Sequence, residues 1–240
     1  MESTAYIALS RQMALGRQMD VIAHNIANAT SSAFKAEALL LEPIPVAAGG
    51  HERLAFVQDI GVVRDFAAGP ITATDNPLDL AIEGPGYFTI ETTEGIRYGR
   101  SGQFRLNDLG ELATAAGDPV LDDGGAPLAL PLDAGPITIA ADGTVSSAAG
   151  IAGRIELVTF ADEQQLRKIG GGLWRSEEAA QPAAGARLLQ GALEGSNVEP
   201  IIEMTRMMST LRAYQGTQRL IETHHDLQRR AIERMLEATG

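Results

Sequence analysis

The feature that most constrains this chain is that it begins and ends with long helical patterns, while the region between them has the texture of strands and turns. Within residues 1–32, one set of mostly apolar side chains recurs at steps of three and four, the spacing of a single helix face. That face is Ala5, Ala8, Gln12, Leu15, Met19, Ile22, Ile26 and Ala29. Helices of this kind gain most of their stability from packing. The sequence therefore predicts that the two ends of the chain pack helix on helix.

The C-terminal helical pattern, over roughly 197–237, contains a change of phase. The stripe starts as Ile201, Met204, Met208 and Leu211, and it resumes as Tyr214, Gln218, Ile221, His225, Gln228, Ile232 and Met235. Two successive steps of three around Leu211 shift the stripe, as a stammer does in a coiled coil. The pattern fits helices that pack against other subunits. It fits equally well two long helices that close a monomeric domain.

The middle of the chain is typical of β structure. Leu78, Leu80 and Ile82 alternate with Asp79 and Ala81, which predicts a half-buried strand. Further strands are predicted within 60–66, 87–90, 96–100, 137–139, 155–160 and 190–193, and turns at 107–110, 123–124 and 142–143. Together with the terminal patterns, these strands predict the α+β class, with an all-β central domain and long N- and C-terminal helices that pair as a coiled coil.

The predicted domain organisation has four parts. They are an N-terminal helix at 1–32, a connecting segment at 33–74, a β-rich central domain at 75–190, and a C-terminal junction and helix at 191–240. Gly49-Gly50 is expected to break the connecting segment, and residues 177–185, rich in Ala, Glu and Pro, are expected to form a linker. Asn197 is a candidate N-cap for the last helix, with Pro200 in its first turn.

The charge of the chain is unevenly distributed. The net charge is −12. Residues 1–41 carry three basic and three acidic side chains and residues 199–240 carry six of each, so the whole excess lies in the middle. An acidic middle argues against nucleic acid or anionic lipid as a partner. Neutral, charge-mixed helices suit packing against copies of themselves.

Several kinds of chemistry are not indicated by the sequence. The chain has no cysteine, which excludes disulfides, thiolate metal sites and cysteine nucleophiles. The four histidines, at 24, 51, 224 and 225, show no metal-binding spacing. We therefore predict no catalytic residue, no metal, no cofactor and no small-molecule substrate. Residues 1–15 do not resemble a cleaved secretory signal and no apolar run approaches about 20 residues, so no membrane insertion is expected.

Four stretches of the sequence, in order along the chain, resemble the axial proteins of the bacterial flagellum, the rod and hook family. They are Asn25 to Asn28 with Phe34-Lys35; Asn76 to Ile82 with Gly84, Gly86 and Tyr87-Phe88; Tyr98, Arg100, Gly102 and Phe104 with Gly110 and Leu112; and Gln190 to Val198 with Arg212-Ala213-Tyr214. The length and the opening residues 6–12 are most similar to proximal-rod members. A distal-rod or hook subunit is the alternative.

This resemblance implies a structural role. In such proteins the terminal helices pair as a coiled coil and polymerise into a hollow drive shaft that transmits torque, with the β domain outside. The expected location is the periplasmic rod of the flagellar basal body, reached by type III export without a cleaved signal peptide. The expected partners are other rod proteins, proximal and distal, and copies of the chain itself.

Subunit packing is predicted for sixteen residues on the helices and at their junctions. They are Leu15, Met19, Ile22, Asn25, Ile26, Asn28, Phe34, Leu193, Ser196, Asn197, Val198, Met204, Met208, Leu211, Tyr214 and Ile221. For each, the alternative is a core or cap contact within one chain. Three positions depart from the family pattern: Ala33 and Asp75 stand where Gly is common, and Pro85 where Asp is usual. Because Ala does not adopt positive φ freely, the turn at Ala33 is expected to differ.

Two other functions remain open from the sequence. One is a β-domain module that binds a cell-wall glycan and dimerises through helical arms. It would need an exposed aromatic platform, for which the candidates are Tyr87, Phe88, Tyr98, Phe104, Phe160 and Trp174. The other is a glycan-cutting enzyme, which would need two carboxylates in a cleft; no such pair is identifiable.

Overall fold

The computed structural model describes residues 2–47, 53–131 and 135–237, so the Gly49-Gly50 break and His51 lie outside the described residues. In these described residues there are two long helices, one short 3-10 helix at Glu163–Gln165 and seventeen strands. The elements are α1 (Glu2–Ala27), β1 (Glu37–Ala47), β2 (Arg53–Arg64), β3 (Ile71–Ala73), β4 (Leu80–Glu83), β5 (Tyr87–Thr92), β6 (Gly95–Gly99), β7 (Phe104–Leu106), β8 (Leu112–Thr114), β9 (Thr138–Ile139), β10 (Thr144–Ser147), β11 (Gly150–Arg154), β12 (Leu157–Thr159), β13 (Arg167–Gly170), β14 (Leu173–Arg175), β15 (Gln181–Pro182), β16 (Arg187–Gln190), β17 (Ala192–Glu194) and α2 (Pro200–Glu237). The predicted α+β class is confirmed.

The chain forms two compact units. The helical unit comprises residues 1–27, 36–65 and 198–240, and the β unit comprises residues 28–35 and 66–197. The helical unit therefore contains α1, α2 and the β1–β2 hairpin, while all other strands belong to the β unit.

In the helical unit, α1 and α2 run in opposite directions side by side. Ile7 and Ala8, near the start of α1, line a groove with Thr217 and Leu220 of α2. Near the other end of α1, the Asn25 side chain lies 3.4 Å from the Glu203 carboxylate of α2. The segment expected to be connecting is largely a hairpin, since β1 pairs antiparallel with β2 from Glu37↔Arg64 to Ala47↔Arg53.

The β unit is built on a six-stranded antiparallel sheet in the order β13-β14-β6-β5-β12-β15. A three-stranded sheet, β11-β10-β9, and the pairs β16-β4, β17-β3 and β7-β8 complete it. Its larger core gathers Leu80, Phe88, Ile90, Leu112 and Val120 among others, and Phe104 packs edge-on against Phe88 with ring centroids 4.9 Å apart.

A second core of the β unit is aromatic. It contains Tyr87, Phe160 and Trp174, with Val158 and Leu166. Five of the six aromatic candidates for an exposed platform are buried here or in the larger core, and Tyr98 is half-buried against Phe160. These side chains therefore stabilise the unit and do not form a platform for a glycan.

Four local predictions differ from the structure. The N-terminal helix ends at Ala27 and not at residue 32, because Ser31 N–H and Oγ bond to Asn28, and Asn and Ser favour such turns over a continued helix. Residues 79–82 are all buried, so both faces of β4 are covered. The expected linker at 177–185 contains β15, which pairs with β12. Asn197 is not the N-cap of α2: the Glu199 carbonyl accepts the bond from Glu203 N–H, and Pro200 is the first helical residue.

Candidate functional site

The two faces of α2 have the opposite polarity from an ordinary core helix. Glu203, Thr210 and Thr217 follow one another at intervals of seven residues, so they share one face, and all three are buried. On the other side, Met204 is 53 % exposed and Met208 is 58 % exposed. Within the helical unit, the first half of α2 therefore turns polar side chains inward and apolar side chains outward. We call Ile201, Met204, Met208 and Leu211 the outer face of α2; all four are exposed.

The phase change in the sequence accounts for this arrangement. After Leu211, the stripe moves around the helix, and Tyr214 and Ile221 are half-buried where the earlier members are exposed. The two halves of the predicted stripe thus lie on different sides of α2. In the second half, Tyr214, Ile221 and Gln228 are half-buried, whereas Gln218, His225 and Met235 are exposed, so this half turns only partly toward the interior of the helical unit.

Helix α1 also has an apolar outer face, which the sequence reasoning missed. Tyr6, Leu9 and Met13 are exposed and share one side of the helix, at steps of three and four. The predicted stripe lies elsewhere: Ile22 is buried, and Leu15, Met19 and Ile26 are half-buried. The burial of Ile22 is complete within one chain and requires no neighbour. A second apolar row beside the first was the signal that could have revealed the outer face.

A groove of about 400 Å³ runs between the two helices. It is lined by Ile7, Ala8 and Arg11 of α1 and by Ala213, Gly216, Thr217 and Leu220 of α2. Small side chains on both walls leave this space open, so the helices do not seal their contact along this part of the unit.

Asn25 fastens the end of α1 inside the helical unit. Its Nδ2 donates to the Glu37 carbonyl at 2.8 Å and its Oδ1 accepts from Glu37 N–H at 2.9 Å. Nδ2 also lies 3.4 Å from Glu203 Oε2, while Glu203 pairs with Arg206 at 2.6 Å. Asn25 is 1 % exposed, so this predicted packing residue holds its own chain together.

The predicted junction residues belong mainly to the β unit. Asn28 begins the turn after α1, since its carbonyl accepts from Ser31 N–H, and the Phe34 carbonyl accepts a hydrogen bond from Asn197 N–H at 3.2 Å. Lys168 Nζ lies 4.8 Å from the centroid of the Phe34 ring, a cation–π distance. Leu193 lies in β17, and Ser196 is buried. Val198, in the helical unit, is buried as well.

A buried ion cluster lies at the centre of this junction, and sequence reasoning did not assign it. The Glu194 carboxylate pairs with Lys35 Nζ at 2.7 Å and with Arg100 Nε at 2.6 Å, and all three residues are almost fully buried. Gly69 N–H donates to the same carboxylate at 3.1 Å. Each of the three charged residues lies in a different one of the four stretches that carry the family resemblance. That shared membership was the only feature of the sequence analysis that pointed to these residues.

The two cations of the cluster use most of their remaining donors on backbone carbonyls. Lys35 Nζ donates to Ala67 O at 2.8 Å, and the Arg100 guanidinium donates to the carbonyls of Ile82, Gly84 and Gly86. Burial lowers the pKa of Lys35, while its hydrogen bond to Glu194 acts in the opposite direction. The cluster is therefore stable only as a complete set, because each buried charge depends on the others.

Ala33 adopts the left-handed conformation that a glycine would adopt at less cost. Its φ is 54°, and its N–H donates to the Glu194 carbonyl at 2.8 Å. Ala33 therefore adopts the positive φ that alanine was not expected to adopt freely, and this conformation is accompanied by the bond to Glu194. Asp75, the other substitution for a common glycine, also has positive φ, at 60°.

Replacing Ala33 with glycine is expected to stabilise the chain. Left-handed backbone costs a non-glycine residue about 1–2 kcal/mol, and the greater freedom of glycine in the unfolded chain offsets part of the gain. We expect the free energy of unfolding to rise by about 0.5–1 kcal/mol, measured by urea denaturation. Ala23→Gly, at an exposed helical position in α1, is the control and should destabilise. A loss of stability in Ala33→Gly would contradict the assignment of strain.

The described residues show none of the features of a metal or membrane site. Within residues 2–47, 53–131 and 135–237, no group of three or more His, Asp or Glu side chains is placed to hold a metal ion. No described helix is both long enough and apolar enough to cross a membrane. The features that call for a function are the outer faces of the two helices in the helical unit and the buried ion cluster in the β unit. Long helices with unpartnered apolar faces define a structural assembly subunit.

Comparison with known proteins identifies the assembly. Three family descriptions match successive parts of the chain: "Flagella basal body rod protein" over residues 6–35, "Flagellar hook protein FlgE/F/G D1 domain" over 81–147, and "Flagellar basal body rod FlgEFG protein C-terminal" over 189–234. The chain is 41 % identical to the flagellar basal-body rod protein FlgF of Caulobacter vibrioides, over 98 % of both chains. It is 36 % identical to FlgF of Mesorhizobium japonicum over 92 % of both chains. It is 32 % identical to FlgG of Bacillus subtilis over 92 % of this chain and 95 % of that protein.

The chain belongs to the flagellar basal-body rod protein family, as a member of the FlgF type. It is a structural subunit of the rod of the flagellar basal body and not an enzyme. Its location is the flagellar basal body, and its partners are other rod and flagellar components.

Proposed function

We propose that this chain is a subunit of the proximal rod and polymerises through its terminal helices into the wall of a hollow shaft that transmits torque. The helices pair as a coiled coil within the subunit and then pack against neighbouring rod subunits and copies of the chain. The rod they build lies in the periplasm, and the chain reaches it through the flagellar type III apparatus without a cleaved signal. The FlgF relatives favour the proximal position, whereas the FlgG relatives fit a distal-rod subunit as the alternative.

The observation that carries this proposal is the outer face of α2. Four large apolar side chains are exposed along about three turns of one helix, while the side that faces its own chain is polar. Apolar surface removed from water contributes roughly 25 cal/mol per Å². Contact with other subunits is the way in which a polymer buries this face, and the exposed row on α1 adds to the surface that neighbours can cover.

The proposed contact is tested by placing charge on the outer face. We expect the double substitution Met204→Asp with Met208→Asp to leave the purified chain folded, because exposed positions usually change stability by less than about 0.5 kcal/mol. In the assembled shaft, the same carboxylates would be buried without partners, which costs several kcal/mol. Cells that carry only this variant should lack complete rods in isolated basal bodies and should not swim.

The control is Ile151→Asp. Ile151 is 78 % exposed in β11 of the β unit, so this single substitution also replaces an exposed apolar side chain with a carboxylate, at a position outside the helices. Cells with the control should swim normally. Normal rods and normal swimming in the Met204/Met208 variant would contradict the proposed role of the helices.

A further inference from the structure

The segments of the β unit next to its chain connections with the helical unit are all bound by one residue, Glu194. The chain passes between the β unit and the helical unit at four places, after residues 27, 35, 65 and 197. The parts of the β unit next to these passages are three segments: 28–35, 66–69 and 194–197. We call them the junction segments. Any force carried along the backbone from one unit to the other passes through them.

Glu194 binds the first two junction segments from its own place in the third. Its main-chain carbonyl accepts from Ala33 N–H at 2.8 Å and from Ser32 Oγ at 3.1 Å. Its carboxylate accepts from Lys35 Nζ at 2.7 Å and from Gly69 N–H at 3.1 Å. A single residue thus receives hydrogen bonds from both of the other segments.

Arg100 extends the same cluster into the sheets of the β unit. Its Nε donates to the Glu194 carboxylate at 2.6 Å, and its two terminal nitrogens donate to backbone carbonyls between β4 and β5 and at the end of β4. The junction segments are therefore fixed to one another and also to the body of the β unit. Buried, charge-assisted hydrogen bonds are short and directional, which suits a fixed arrangement.

We propose that Glu194 is a positioning residue for torque transmission: it holds the junction segments in one fixed arrangement, so that the four backbone connections between the units move as a single body. This inference rests on the proposed function, because it assigns the part of the subunit through which load passes. Removing the carboxylate leaves two buried cations without an anion, and the junction segments separate from one another while the two cores stay folded.

The test is amide hydrogen exchange and swimming of Glu194→Gln in the full chain. Breaking a buried ion pair from one side is strongly destabilising. We expect the amides of Ala33, Gly69 and Asn197 to exchange about 100-fold faster, through local opening. Amides of the larger core, such as those of Leu112 and Val120, should exchange at nearly the wild-type rate. Cells with the variant should swim more slowly than wild type, and this difference in speed should grow as the viscosity of the medium increases.

Two further variants separate the charge of the cluster from simple packing. Lys35→Met in the Glu194→Gln background removes one uncompensated cation, so the exchange rates of the junction segments should return most of the way to wild type. Exchange rates in the double variant that equal the combined effects of the two single variants would overturn the proposal. Lys35→Met alone leaves the carboxylate paired with Arg100 and Gly69 N–H, so it should fold and open the junction segments by only about 10-fold. This variant gives a result even if Glu194→Gln does not fold.

The control is Asp123→Asn, which removes an ion pair of similar length, 2.8 Å to Arg154, between half-exposed side chains. Exposed pairs contribute little, so exchange at the junction segments should not change. Equal acceleration of core and junction amides in Glu194→Gln, or full swimming with open junction segments, would overturn the proposal. Either result would leave the role of the outer face of α2 standing, since that role is tested by other residues.

Discussion

Replacing Gly102 with alanine is expected to lower the free energy of unfolding by about 3 kcal/mol or more. A Cβ at this position would lie 1.7 Å from the Leu80 carbonyl oxygen and 2.7 Å from the Leu80 carbonyl carbon. Both obstacles are backbone atoms, so no side-chain rotation can relieve the overlap. Leu80 is fully buried, and its N–H donates to the Gly102 carbonyl at 2.9 Å, so moving the Gly102 segment away from β4 breaks a bond at the edge of the larger core.

Urea denaturation of the purified chain, followed by the fluorescence of the single tryptophan, Trp174 in the β unit, measures this effect. The control is Gly16→Ala, because a Cβ at Gly16 meets nothing within 4 Å and glycine in a helix costs about 1 kcal/mol relative to alanine. That variant should be at least as stable as wild type. A wild-type denaturation midpoint for Gly102→Ala would show that Gly102 and Leu80 are not in close contact in solution.

Replacing Asn25 with aspartate is the second change with a large expected effect, although the two side chains have nearly the same shape. Aspartate can still accept from Glu37 N–H, but it cannot donate to the Glu37 carbonyl. Its new charge would also stand where the amide now lies 3.4 Å from the Glu203 carboxylate. We expect the free energy of unfolding to fall by about 3 kcal/mol, from the lost donor and from two buried carboxylates side by side.

A second substitution distinguishes these causes. Glu203→Gln removes the like charge and supplies a donor, so the double variant should recover part of the lost stability. The recovery is measured as a coupling energy in urea denaturation. Asn28→Asp is the matched control, since Asn28 Oδ1 accepts from Ser31 Oγ and aspartate can do the same. Equal stability of Asn25→Asp and wild type would contradict the contact between α1 and α2 at this end.

The terminal helices show how far sequence periodicity can be used. The period identifies residues that share a face, and it correctly placed helices at both ends of the chain. It does not tell whether that face meets the same chain or another one. In α2 the inward face is Glu203, Thr210 and Thr217, which no hydrophobic pattern would select. The phase change at Leu211 was visible in the sequence, but its meaning became clear only from the exposure of the side chains on either side of it.

The hairpin and the ion cluster were beyond sequence reasoning for different reasons. Residues 33–74 were predicted only as a connecting segment, and Pro43 and Pro45 in it cannot donate to a β ladder. In the described structure β1 pairs only with β2, and such a strand tolerates proline at alternate positions. The ion cluster joins residues 94 and 159 positions apart, so no local pattern could pair them. The three residues lie in three separate motifs of the family resemblance, which indicates only indirectly that they interact.

The polarity of α2 has a consequence for how a free subunit joins the rod. In many assemblies an apolar interface is covered in the monomer, by a loop or by a partner helix, and must be uncovered before binding. Here the Met204–Met208 side of α2 is already open, and the opposite side makes buried polar contacts within the same chain. Incorporation would then require no prior release step, and the rate of growth would depend on how fast subunits arrive and orient at the tip.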